Sequence, residues 1–186
     1  MPFTPFHLGP GLLFGLLLLS YIDFPTFLVA SVIVDIEPFL VLTLDLNYPL
    51  HGFLHSFLGG TLLAFLLAAA MSKVRSSLSP LMSFFKLEEK LSFKSVLSAS
   101  LFGVYLHILL DSPLYSEIRP FYPFDFNPFL SNSMFIVFEV YTLCVLSLIG
   151  GASYMRSDCF FGEEFNFNAE YLRGLRKHSM VIEDRV

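Results

Sequence analysis

Between Phe53 and Met71 the chain runs for nineteen residues without an Asp, Glu, Lys or Arg. As a helix this run is roughly 28 Å long, close to the bilayer's hydrocarbon core of about 30 Å. A helix closes its backbone hydrogen bonds internally, which is what lipid demands of any spanning segment. With 55% hydrophobic and only 15% charged residues, the chain also has more apolar surface than a soluble domain of 186 residues can bury. The expected fold class is therefore all-α: a polytopic helical membrane protein with about five membrane helices and one interfacial helix.

The other elements are read around that span. Leu8 to Ile22 is a first helix of roughly 22 Å, short for a bilayer, and the start of the chain lacks the basic region of a secretory signal, so this run is read as a retained span. A second helix runs from about Thr26 to Val34. Pro38 disfavours helical backbone at Glu37, and Phe39 to Leu46 either resumes the span after a kink or re-enters the membrane. Gly59 and Gly60 in the third helix allow a close neighbour. Ser79-Pro80 opens a short helix for the membrane surface. A fourth span covers about Val96 to Leu110. After a loop rich in Pro and aromatics, a fifth covers Met134 to Met155. Residues 1–155 form the membrane domain and 156–186 a polar tail, in which 168–178 reads as a short helix. Cys144 and Cys159 are too few and too differently placed for a disulfide framework.

The cations orient these spans. Five of the eleven Lys and Arg lie between the third and fourth spans and five follow the fifth, which leaves Arg119 alone for the opposite side. The expected topology is a multi-pass cell-membrane protein with the N-terminus outside and the C-terminal tail cytoplasmic. His7, Asp35, Glu37, His51, His55, His107 and Asp111 then all fall on the outer side, while His178 is excluded.

Ionisable groups are costly at membrane depth, and imidazole with carboxylate is the donor set of Zn²⁺, Mn²⁺ or a di-metal centre. His51 and His55, four residues apart, share one helix face if the third helix already includes them. His107 and Asp111 have the same spacing at the end of the fourth span. Asp35 and Asp111 are placed at helix ends, where the helix dipole disfavours an anion unless a cation is close. Blander roles stand beside these: His7 as an ordinary terminal residue, Asp35 and Glu37 as helix terminators, and His107 with Asp111 as a structural hydrogen bond. Glu139 reads as a base near the site or as a partner of Arg119. Asp23, Asp45, Glu117 and Asp125 read as loop groups.

The order Thr4-Pro5-x-His7, Asp35-x-Glu37, His51-Gly52-x-x-His55-Ser56 and His107-x-x-x-Asp111 resembles the family of membrane-bound metal-dependent hydrolases that includes the inner-membrane protein associated with the LexA regulator. The likeness covers about the first two thirds of the chain. It implies metal or catalytic roles for His7, Asp35, Glu37, His55, His107 and Asp111. Aligned on Gly52 and His55-Ser56, the chain has Leu50 at the family element's first His, His51 at its Arg and Leu54 at its Thr. Glu37 replaces the second Asp of the family's Asp-x-Asp.

The resulting expectation is a metal-dependent hydrolase acting on a lipid or phosphoester at the outer membrane surface. His7, Asp35, Glu37, His51, His55, His107 and Asp111 are its candidate metal ligands, and Asp35, Glu37 and Asp111 its candidate catalytic groups. The expected cofactor is a divalent metal ion, Zn²⁺ ahead of Mn²⁺ or Mg²⁺. The expected partners are the lipid bilayer and a small-molecule or lipid substrate, with no nucleic acid. The alternative is a transporter or ion-handling protein that uses the same cluster as a proton or cation path.

Overall fold

The computed structural model describes residues 6–80 and 92–155. The described residues up to Ala152 belong to one compact unit, and a second begins at Ser153. The helices are α1 (Leu8–Leu17), α2 (Phe24–Ile33), α3 (Ile36–Thr43), α4 (Phe57–Val74), α5 (Phe93–Asp111) and α6 (Met134–Met155), with 3₁₀ turns at Phe53–His55 and Arg75–Leu78. Among the described residues there is no strand.

The spans that open at α4, α5 and α6 are long and apolar enough to cross a membrane. α2 and α3 make a fourth if they are taken as one span bent by 41°. A break was expected here, but it falls at Val34 and Asp35 rather than at Glu37: Glu37 and Pro38 lie in the first turn of α3, where a proline's missing N–H is tolerated. The first helix is shorter than expected. It stops at Leu17, about 15 Å from its start, so the count of five spans is not reached by length. The amides of Tyr21 and Ile22 both turn back to the Leu18 carbonyl. That turn buries Ile22 against Phe27 and Ala99 and delivers Asp23 to the start of α2.

Asp23 is not a plain loop group. Its carboxylate caps α2 by accepting from the Thr26 amide at 3.1 Å. It also takes the Arg75 guanidinium at 2.6 Å, with both side chains buried. The pair joins the start of α2 to the end of α4. The surface helix expected after Ser79-Pro80 and the helix expected at 168–178 lie outside the described residues.

Small residues let the helices close up. A Cβ on Gly103 of α5 would sit 2.5 Å from the Ala30 Cβ of α2, and one on Gly60 of α4 would meet Ile108 and Val104 of α5 at 2.7 and 2.8 Å. α5 is thereby wedged between α2 and α4 around a core of Ala30, Val34, Ala64, Ala68, Val104 and Ile108. Gly59 has a different role from the helix packing expected of it: its space is taken by the Phe53 carbonyl, where the 3₁₀ turn folds back on α4. The large apolar side chains, among them Leu66, Phe102, Phe135 and Phe138, point outward instead. Lipid is as apolar as they are, so close packing rather than water exclusion selects the interior.

Candidate metal centre

Four chain segments meet at one end of this bundle. Asp35 stands at the break between α2 and α3, Glu37 in the first turn of α3, His55 at the end of the 3₁₀ turn, and His107 with Asp111 on the last turn of α5. Donor atoms from Asp35, His55, His107 and Asp111 all lie within 4.8 Å of one another, and His55, His107 and Asp111 are buried. The i, i+4 spacing of His107 and Asp111 works as expected, with Nε2 of the imidazole 3.4 Å from Asp111 Oδ2. The same Nε2 is 3.5 Å from Asp35 Oδ1.

Their hydrogen bonds fix which nitrogen each ring offers. His107 Nδ1 lies 2.8 Å from the Ser31 carbonyl, which only accepts, so Nδ1 carries the proton in the neutral ring and Nε2 presents a lone pair to the two aspartates. His55 Nδ1 lies 2.8 Å from Glu37 Oε2 and donates in the same way. Its Nε2 is then a buried lone pair without a hydrogen-bond partner, as is that of His107. Two lone pairs and two carboxylates thus face one point. Acceptors gathered there repel one another unless a positive charge sits among them, supplied by a metal ion or by a second proton on the His107 ring between the two aspartates. The two separations from His107 Nε2 to the aspartates, 3.4 and 3.5 Å, match the spacing of about 3.3–3.6 Å between ligands at about 2.0–2.2 Å from a tetrahedral Zn²⁺, and the remaining pairs lie within 4.8 Å.

Glu37, His51 and His7 are brought to the rim and are not part of the four-membered group. Glu37 accepts three N–H bonds, from Gly52 at 3.0 Å, Leu54 at 3.1 Å and His55 Nδ1 at 2.8 Å. One methylene more than Asp gives it the reach to hold the whole 51–55 turn. His51 does meet His55, but not across a helix face. Their rings meet edge to face at 4.7 Å because the chain passes through a 3₁₀ turn before Ser56 caps α4 by accepting from the Gly59 amide. His51 is stacked on Tyr115, and its ring and its amide both donate to Glu117 Oε1, at 2.6 and 3.2 Å. The His7 ring stacks on His107 at 4.0 Å, with its Nε2 3.2 Å from Asp111 Oδ1.

Asp35 stands between the end of α2, as expected, and the start of α3, so the two helix dipoles oppose each other there; Asp111, closing α5, faces the unfavourable end alone. Arg119 pairs with Asp125 at 2.8 Å, and Glu139 lies on α6 beside a groove of about 580 Å³ lined by Leu13 and Phe138. Sequence reasoning missed Glu117. It is 66 residues from His51, in a loop with no periodicity, and reaches the site because Ile118 is buried and Pro120 accepts from the Phe57 amide.

Residues 1–172 match the YdjM inner membrane protein family. Comparison with curated proteins and with solved structures finds no match for the chain.

Proposed function

The chain belongs to the YdjM inner membrane protein family, and from that premise we propose that it is a membrane-bound, metal-dependent hydrolase with its centre at Asp35, His55, His107 and Asp111. The observation that carries this reading is the set of acceptors turned inward on one point, including the two buried Nε2 atoms. Borderline nitrogen donors with carboxylates favour Zn²⁺ over Mn²⁺ or Mg²⁺. When bound, the ion would polarise the scissile bond and lower the pKa of a water towards neutrality.

The chain's own residues do the rest. Glu37 is a positioning residue: with both oxygens accepting N–H bonds, it fixes the His55 ring so that Nε2 faces the centre. The Ser31 carbonyl does the same for His107. A carboxylate oxygen of Asp35 or Asp111 accepts the proton of the attacking water, and His7, beside Asp111 Oδ1, is placed to share it. His51 supports the His55 ring. With the cations counted as cytoplasmic, this end of the bundle is read as the outer one, where an amphiphilic ester or phosphoester would reach it. Cysteines placed at Lys73 and Asp125 should accordingly label from opposite faces.

The test is turnover by the detergent-purified full chain on p-nitrophenyl esters and phosphoesters carrying an alkyl chain. Release of p-nitrophenol that is abolished by a chelator and restored by Zn²⁺ is expected. Flux of a divalent ion across vesicles without turnover of any probe would overturn the reading in favour of ion handling.

A further inference from the structure

Beside the centre, on the side of His51, the surface opens into a cleft of about 380 Å³ whose lining includes Tyr48, Gly52, Tyr122 and three charged residues, Glu117, Arg119 and Asp125. Its floor leads inward by contact. Glu117 lines the cleft and holds His51, and His51 meets the His55 ring. Gly52 is what keeps the passage this shape: a Cβ there would overlap the Tyr48 ring, whose hydroxyl accepts from the Phe53 amide at 2.8 Å. Arg119, which lines the cleft, is the single Lys or Arg outside the two cationic stretches of the sequence, 73–94 and 156–185. Its present partner, Asp125, is no obstacle, because both side chains are more than half exposed, at 54% and 75%, and an ion pair so exposed is worth little.

We propose that this cleft is where the substrate is received, and that Arg119 recognises the phosphate of an amphiphile by exchanging Asp125 for it. A guanidinium presents a planar fork of donors that matches phosphate oxygens. The volume holds a headgroup and glycerol but not acyl chains. Those chains have somewhere to go, since Tyr122, Phe124, Phe126 and Phe129 stand exposed around the same loop, as aromatic side chains do at headgroup depth.

The proposal rests on the hydrolase reading only for the chemistry after binding, so binding is measured by itself. The full chain in a neutral detergent, treated with a chelator so that no metal binds the probe, is titrated with dihexanoyl phosphatidic acid, dihexanoyl phosphatidylcholine and inorganic phosphate. Phosphatidic acid should bind about tenfold more tightly than either of the others. Arg119→Gln, a surface change that leaves the fold intact, should bring phosphatidic acid to the level of phosphatidylcholine, and Asp125→Asn should tighten it. A preference for phosphatidic acid that survives Arg119→Gln overturns the proposal, as does inorganic phosphate binding as tightly as the lipid. If the preference is found but the protein neither binds Zn²⁺ nor turns over any probe, the cleft stands and the hydrolase reading falls.

Discussion

Glu37→Gln isolates the part of the site that positions a ligand without supplying one. The substitution keeps volume and reach but turns one accepting oxygen into an NH₂ group. Three N–H donors at 2.8–3.1 Å converge on Glu37, so whichever way the amide turns, at least one donor faces another donor. One unmade buried hydrogen bond costs about 1–3 kcal/mol. If the amide keeps its oxygen towards His55, the loss falls on the backbone of the 51–55 turn; if it flips, the His55 ring loses its anchor. In either case Nε2 is held less well, and loss of such an anchor typically weakens metal binding by about 10–100-fold. The assay is competition for Zn²⁺ against a chromophoric chelator, beside thermal unfolding of the metal-free protein. Zn²⁺ affinity in Glu37→Gln unchanged within twofold, with a lowered melting temperature, would refute the reasoning and make Glu37 a brace of the turn alone.

Other substitutions separate the remaining roles. Asp111→Asn should lower metal occupancy and also destabilise the metal-free protein, because its carboxylate is the partner of the buried His7 and His107 rings. Asp35→Asn should lower occupancy equally but cost the metal-free protein less, since Asp35 is less buried than Asp111 and stands where the dipoles of α2 and α3 oppose each other; thermal unfolding with and without chelator reads both, and Asp45→Asn serves as the control. His55→Ala should lose far more Zn²⁺ than His51→Ala, as measured by metal content after gel filtration, and equal loss would put His51 in the centre. Gly103→Ala should destabilise the bundle by about 1–3 kcal/mol, and more than Gly60→Ala, because it meets the Ala30 Cβ and the Phe27 carbonyl rather than the far ends of Ile108 and Val104. Unfolding in mixed micelles checks the order.

Periods and composition decide how much of this protein is legible in its sequence. The spans that open at α4, α5 and α6 are long uninterrupted apolar runs, and their positions were readable to within a few residues. His107 and Asp111 were readable as a pair because a continuous helix carries them. His51 and His55 were readable as neighbours, but for the wrong reason, since the apolar run behind them continues smoothly while the backbone makes a 3₁₀ turn before the Ser56 cap. Asp35 was readable as following the end of α2 but not as preceding α3, because Pro38 marks a break without saying that a new helix begins one residue after the aspartate. The Asp23–Arg75 pair and the Glu117 contact were invisible. Each joins segments 52 and 66 residues apart, and no local pattern encodes a contact that only the packing of α2, α4 and the loop after α5 creates.

Metal analysis of the protein purified in detergent without added metal tests the central claim most directly. One Zn²⁺ per chain in the wild type, falling to a small fraction in Asp111→Asn, is the result the acceptor cluster predicts. A wild type that holds no divalent metal, even after incubation with Zn²⁺ and removal of the excess, would contradict it.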